Sequence, residues 1–267
     1  MCGITGFLDL TTGMTAADMK AAVTRMADAI RHRGPDDSGV WVDEQAGIAL
    51  GFRRLSILDL SPSGHQPMLS ADERFVMIYN GEVYNFSEIR AELLPLGHRF
   101  RGTSDSEIML AAIQQWGIHE AVKRFNGMFA FALFDRQERT LYIVRDRLGI
   151  KPLYYGWAGN TFLFGSELKA LRAHPDFKAD INRDSLTLYL RYSYIPAPHT
   201  IYQCFFKLPA GCILAIKPDQ HPGDEHPEVF WSAREAVERG LADPFHGNDR
   251  EAIDELDRML THSIGQR

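Results

Sequence analysis

The sequence predicts an α+β fold built on largely antiparallel sheets. Three observations carry this. Apolar runs of strand length pair around turn formers, as in MFAFALFDRQERTLYIVRD, where two such runs flank a charged turn. Stretches of helical periodicity fall between the strand-like runs without regular βαβ alternation. And 267 residues with 45% hydrophobic content suit one sizeable core with an appendage rather than a row of small domains.

The elements follow in order. CGITGFLDL reads as a strand buried on at least one face. Thr15 then opens a helix, with Asp18 placed as in a capping box, and Met19, Val23, Met26 and Ile30 keep helical spacing to about residue 31. RHRGPDDSG is a polar loop rich in turn formers. GVWV, GIALGFRRL and ERFVMIYN are strands. FSEIRAELLPLG and DSEIMLAAIQQWG are helices, each closed by a glycine. After the hairpin, PLYYG and TFLFGS continue strand-like, ELKALRAH is a short helix, and RDSLTLYLRYSYI is helical. CFFKLPAGCILAI makes a strand pair around Pro209-Ala210-Gly211. PDQHPGDEHPE is polar, acidic and proline-containing, hence an exposed loop or linker whose histidines are expected to be solvated rather than metal ligands. In DREAIDELDRMLTHSIGQR, Ile253, Leu256, Met259, Leu260 and Ile264 share one helix face. Nothing after that face is there to cover it, so a chain cut short, or a docked partner, is expected. No internal repeat or low-complexity tract is found.

Charge and composition exclude some functions. The net charge is −6 and no basic block occurs, so no nucleic-acid partner is expected. Uncharged stretches are short and broken, so no membrane span is read. The first thirty residues lack a basic region followed by an apolar one, so no signal peptide is read. Three cysteines without CxxC spacing are neither a disulfide framework nor a zinc site, and Cys204 and Cys212 read as structural residues in an apolar strand context. The expectation is a reduced, cytoplasmic protein.

The chemistry concentrates at the start. Trimming of Met1 would make Cys2 the first residue, with a thiol and a free α-amine on one carbon. An α-amine titrates near about 7.7–8, so part of it is already neutral near pH 7 and can take the thiol proton. The thiolate is the nucleophile. Nucleophile and base then sit on one residue, suited to attack on an amide or ester carbonyl. The alternative is that Cys2 is a small apolar residue starting a strand. Such attack makes an oxyanion that needs fixed donors. In YNGEVYN, Asn80 follows a strand and Gly81 lets the backbone present its N–H closely, though Asn-Gly is also the strongest short hairpin signal. Arg53 and Arg54 at a strand end offer a guanidinium to a carboxylate, or form a solvent-facing pair. Asp105 at a helix start offers an anion, or serves the helix dipole beside a Ser104–Glu107 capping box.

Together these stretches resemble a known family. MCGITGF, RHRGPDDSGVW, RRLSILDLSPSGHQPM, YNGEVYNF, GTSDSEIML, NGMFAFALFD, RDRLGIKPLYY and GSELKAL stand in the order of class II glutamine amidotransferases, which are N-terminal-nucleophile hydrolases. More closely, the chain resembles the glutaminase half of glutamine-hydrolysing asparagine synthetase, with RLSILDLSPSGHQPM as the discriminating stretch. The resemblance implies a four-layer αββα sandwich of two antiparallel sheets between helices. It implies Cys2 as nucleophile with its own amine as base, and Asn80 and Gly81 as the oxyanion hole. Arg54 would take the glutamine α-carboxylate and Asp105 its α-ammonium, with Glu82 assisting and Leu55, Ile57 and Leu58 lining the pocket. It implies an amidotransferase domain over 1–216 and, over 217–267, a linker and the start of a synthetase domain. No cofactor is implied for glutamine hydrolysis; ATP and magnesium belong only to the synthetase half, whose SGGxDS-type motif this sequence lacks. The implied partners are glutamine and a synthetase domain of the same polypeptide, with a homodimer left open. Rival readings are a glutaminase half serving an acceptor other than aspartate, a hydrolase of another amide, and a non-catalytic scaffold of the same fold.

Overall fold

The computed structural model describes residues 1–56 and 64–266. Among them lie two six-stranded antiparallel sheets. The first is formed by β1 (Gly3–Asp9), β2 (Asp37–Asp43), β3 (Ile48–Arg54), β8 (Tyr154–Ala158), β9 (Thr161–Gly165) and β10 (Phe205–Lys207), in the order β10-β8-β9-β1-β3-β2. The second contains β4 (Met68–Leu69), β5 (Phe75–Val83), β6 (Gly127–Asp135), β7 (Thr140–Arg145), β11 (Cys212–Ile216) and β12 (Glu228–Val229), in the order β12-β11-β7-β6-β5-β4.

Alternation of side chains along each strand gives each sheet two apolar faces. Ile4, Leu8, Leu50 and Phe52 of the first sheet meet Val76, Ile78, Phe134 and Ile143 of the second in a core between the sheets. The alternate residues face outward. Phe7, Ala49 and Leu163 pack under α1 (Ala16–Ala29) and α5 (Leu168–Arg172). Met77, Tyr79 and Phe131 pack under α2 (Phe86–Leu93), α3 (Asp105–Trp116) and α4 (Ile118–Arg124). This is the four-layer αββα sandwich. The α1 stripe behaves as its spacing requires. Thr15 accepts from the Asp18 N–H at 3.2 Å, and Met19, Val23 and Met26 are fully buried. Each such side chain contributes about 1.5–3 kcal/mol relative to exposure.

The structure departs from the sequence reading at several points. Asn80 and Gly81 do not follow a strand or form a hairpin turn; they lie within β5, opposite Ala130 and Phe129 of β6. Gly81 is needed there for closeness, because a Cβ would run into the Met128 carbonyl and the Phe129 backbone. The strands of CFFKLPAGCILAI do not pair with each other. β10 joins β8 in the first sheet and β11 joins β7 in the second. The connection crosses between the sheets, with Leu208 buried in the inter-sheet core and Gly211 turning at φ 66°. Glu107 forms no capping box with Ser104, because its carboxylate accepts from the Arg101 and Gly102 N–H groups at 2.8 and 2.9 Å. Ser104 caps α3 by itself, accepting from the Ser106 N–H at 3.2 Å. Cys212 is buried in β11, but Cys204 is exposed at φ 60°, outside any strand. α4 has no counterpart in the sequence reading. Nor does α7 (Ala233–Ala242), which stands with α6 (Arg183–Tyr192) and α8 (Asp249–Gly265) late in the chain. α7 and α8 bury no residue, and Ile253 and Leu256 of α8 are 66% and 56% exposed. No helix among the described residues is long and apolar enough to cross a membrane.

Candidate active site

Strand register brings the chain start to one end of the sandwich. β1 pairs with β3 from Gly3 opposite Arg53, so Cys2 stands beside the residues that follow β3. The Leu55 N–H donates to the Cys2 sulfur at 3.4 Å, and the thiol reaches the Leu55 carbonyl at 3.6 Å. Alternation separates the two arginines. Arg53 turns to the end of α1, donating to the Ala27 carbonyl at 3.3 Å and pairing with Asp28. Arg54 is buried on the pocket side.

The opposite wall belongs to the second sheet. β4 covers β5 only at Val76 and Met77, so among the described residues the edge of β5 beyond them has no strand neighbour on that side. The Tyr79 N–H donates to Gln66 Oε1 at 2.6 Å and the Val83 N–H to Asp105 Oδ2 at 3.0 Å, both on this edge. Phe129, which faces Gly81, spends both backbone groups on Asp146 instead, donating to Asp146 Oδ2 at 3.2 Å and accepting from the Asp146 N–H at 2.8 Å. Backbone groups alternate along a strand, so the Gly81 N–H points the same way as those of Tyr79 and Val83, toward the cavity. Beside it, Asn80 is 1% exposed, and its Nδ2 is buried without a partner among the described residues. A buried donor left unmet costs about 1–3 kcal/mol, so it marks a place prepared for an acceptor.

Asp105, the first residue of α3, is 7% exposed and accepts from the Tyr79 hydroxyl at 2.7 Å. Burial pushes its carboxyl pKa up, only partly countered by the Tyr79 and Val83 bonds. Tyr79 is held protonated by burial and by that carboxylate. The arrangement stabilises Asp105 further if a cation arrives.

Between the walls is a cavity of about 180 Å³. Cys2, Arg54, Leu55, Asn80, Gly81, Glu82 and Asp105 all line it. Ile57 and Leu58 lie outside the described residues. Burial pushes the Cys2 thiol up, while the Leu55 backbone bond, the terminal ammonium, Arg54 and Lys151 draw it down. Met1 also borders the cavity and is 54% exposed. Among the described residues no cluster suits a metal ion.

Gln66 and Lys151 are among the lining residues that the sequence reading does not single out. Gln66 closes the β5 edge through Tyr79. Lys151 is 5% exposed, and burial draws its ammonium pKa down. Its loop is pinned by the fully buried Asp146, whose carboxylate accepts from the Leu148, Ile150 and Lys151 N–H groups at 3.1, 3.0 and 3.0 Å. The sequence signal was the stretch RDRLGIKPLYY, but a lone lysine in a loop ordinarily points to solvent.

Sequence comparison then supplies the family. Residues 1–231 match the glutamine amidotransferase domain family. The chain belongs to that family. As a glutamine amidotransferase domain it is similar to glutamine-hydrolysing asparagine synthetase 3 of Bacillus subtilis, 42% identical over 189 residues that cover 70% of this chain and 30% of that protein. It is 39% identical over 228 residues to a putative glutamine-hydrolysing asparagine synthetase of Methanocaldococcus jannaschii, covering 79% of this chain and 43% of the relative. The chain thus spans less than half the length of these curated relatives. In fold, the amidotransferase domain resembles the glutamine phosphoribosylpyrophosphate amidotransferase of B. subtilis, with a TM-score of 0.61 at 16% identity over 86% of this chain and 49% of that one.

Proposed function

We propose that this domain hydrolyses the side-chain amide of glutamine to glutamate and ammonia. The observation that carries the reading is one cavity in which a thiol faces an unmet Asn80 amide and the Gly81 N–H, between a buried arginine and a buried carboxylate. Once Met1 is removed, the Cys2 amine takes the thiol proton, and the thiolate adds to the amide carbon. Asn80 Nδ2 and the Gly81 N–H receive the developing oxyanion. As the carbon–nitrogen bond breaks, the ammonium returns its proton to the leaving nitrogen, and ammonia departs. Water, deprotonated by the same amine, opens the thioester and regenerates the thiol. Arg54 binds the α-carboxylate and Asp105 the α-ammonium. Glu82 assists in binding, and Leu55, with Ile57 and Leu58, lines the pocket.

The names of the longer relatives support a further step: ammonia made here serves a synthetase portion beyond these residues, with ATP and magnesium required there and not for hydrolysis. Aspartate is the acceptor those names suggest. The division at residue 216 between the amidotransferase domain and a linker leading to that portion belongs to the same proposal, as does a cytoplasmic location. The direct test measures glutamate released from glutamine by protein whose Met1 loss has been verified by mass. Release that vanishes in Cys2→Ala supports the reading; equal release from both proteins overturns it. Turnover of an acyl-amide but not of glutamine would transfer the site to another substrate.

A further inference from the structure

The cavity carries more charge than its proposed substrate uses. A free amino acid brings one carboxylate and one ammonium, which Arg54 and Asp105 match. Glu82 and Lys151 line the same cavity as a second pair of opposite charges. They do not meet: Lys151 Nζ has neither an ion-pair nor a hydrogen-bond partner among the described residues. Yet Lys151 is only 5% exposed. Lysine is almost never buried unpaired, because its ammonium gives up hydration for nothing in return. A lysine serving packing alone would lay its stem on the core and carry its charge out to water.

The residue is also fixed in place. Both backbone groups of Lys151 are spent: its N–H donates to Asp146 Oδ2 at 3.0 Å and its carbonyl accepts from Arg145 Nε at 2.8 Å. Arg145 Nη2 donates to the Gly149 carbonyl at 2.7 Å, so the preceding turn is tied to the same guanidinium. The charge is thus delivered to the cavity by a loop gathered at both its amides and its carbonyls.

One group in the cavity has to become an anion. The proposed first step moves the Cys2 thiol proton to the Cys2 amine, and burial opposes the charge separation that results. The charged and titratable groups about the thiol come from every side: Arg54 after β3, Tyr79 and Glu82 of β5, Asp105 of α3, Lys151 after β7, and Arg33 of the turn after α1, whose Nε meets the Cys2 carbonyl. Arg33 is paired with Glu167 at 3.0 Å, and Arg54 is the cation that the substrate carboxylate would neutralise. Lys151 keeps its charge uncompensated in both situations. Burial draws its ammonium pKa down, but Glu82, Asp146 and Cys2 draw it up, and a thiolate strengthens that upward pull.

We propose that the Lys151 ammonium is the counter-cation of the Cys2 thiolate, a fixed charge that favours ionisation of the thiol both before glutamine arrives and while it is bound. Lys151 keeps its own protons throughout; the thiol proton goes to the Cys2 amine. The consequence for glutamine hydrolysis rests on the glutaminase reading, whereas the effect on the thiol does not.

The test uses the Met1-trimmed chain, verified by mass, and the variants Lys151→Met, Lys151→Gln and Lys151→Arg. Alkylation of Cys2 by iodoacetamide is followed on the N-terminal peptide between about pH 6 and 10, and its midpoint reports the coupled thiol and amine. A neighbouring charge moves a pKa by about 1–3, so in this partly open cavity Lys151→Met and Lys151→Gln should raise the midpoint by about one pH unit, and Lys151→Arg by less than about a third of that. The acid limb of kcat/KM for glutamine should move up with it, a loss of about tenfold below the midpoint and little above it. Midpoints of both neutral variants within about 0.3 of wild type overturn the inference. So does a loss of kcat/KM equal at every pH, which marks a structural role, or a Lys151→Arg midpoint shifted as far as that of Lys151→Met, which shows that charge is not what matters. If neither neutral variant folds, the reciprocal titration decides: Cys2→Ser should lower the midpoint of the Lys151 ammonium, read by NMR at Nζ, and an unmoved midpoint overturns the inference. If wild type does not turn over glutamine, the functional reading fails while the alkylation midpoints still decide the role of Lys151.

Discussion

The two walls of the cavity are built by different means. The wall from the first sheet presents reactive and charged side chains, Cys2 and Arg54, placed by the register of β1 on β3. The wall from the second sheet presents hydrogen-bond donors on an uncovered strand edge, the Gly81 N–H and the Asn80 amide, with Asp105 anchored to the same edge through Val83. One wall is chemistry written in residue types. The other is chemistry produced by stopping β4 after two residues. On the proposed function, attack comes from the first wall and charge is received at the second, so damage to each should read differently.

The largest effect is expected on the first wall. Cys2→Ala should lower glutamine hydrolysis by at least about a thousandfold while the melting temperature stays close to wild type, since Cys2 lies at the margin of the core. Measured glutamate release with a parallel thermal melt checks this; retained turnover would remove the asymmetry between the walls altogether. Next comes the receiving wall. Asn80→Ala should lower kcat about 100- to 1000-fold with KM nearly unchanged, because an oxyanion donor acts in the transition state. A rise in KM instead would make Asn80 a ground-state contact. Smaller again, Asp105→Asn should raise KM for glutamine about 10- to 100-fold, the usual worth of a charged hydrogen bond, with a milder effect on kcat. Steady-state kinetics across glutamine concentration separates these two outcomes.

The smallest effect lies outside both walls and serves as their control. His174 is buried against Phe7 with ring centroids 4.7 Å apart, and its Nε2 has no partner among the described residues. Burial draws its pKa below the ordinary value of 6.5, with Asp176 opposing. The folded protein therefore prefers the neutral ring, and the unfolded chain binds the proton more readily. The contribution to stability is complete above about pH 6.5 and is lost as pH falls below that value toward the folded pKa, by at most about 1.4 kcal/mol per pH unit. Melting temperatures between pH 7 and 5.5 should fall less steeply in His174→Gln, with turnover at pH 7.5 unchanged. A change in turnover would mean that the helix layer over the first sheet communicates with the cavity.

The contrast between the walls also explains what could be read in advance. Side-chain periodicity located β1, α1, the β6–β7 hairpin and α3, because burial on one face imposes a period that composition reveals. Cys2, Arg54 and Asp105 were legible as residue types suited to one reaction. The separation of Arg53 from Arg54 was not, since it depends on which face of β3 meets α1. Asn80–Gly81 was legible as a candidate donor pair but not in its placement: it reads as following a strand or making a turn, and it lies mid-strand, within β5. Pairing of β10 and β11 was misjudged because adjacency in sequence favours a hairpin, and nothing local announces that Leu208 dives between the sheets. Lys151 was hidden for a related reason. Its burial follows from the Asp146 carboxylate gathering a loop by its amides, a long-range consequence of β6 and β7.

Because the thiol hangs from one sheet and its proposed receiving donors from the other, their spacing is set by the apolar layer between the sheets. Turnover is then a gauge of that layer's thickness. An acid-swollen state that keeps its strands and helices but loosens the core should fall silent while its far-ultraviolet circular dichroism still looks native.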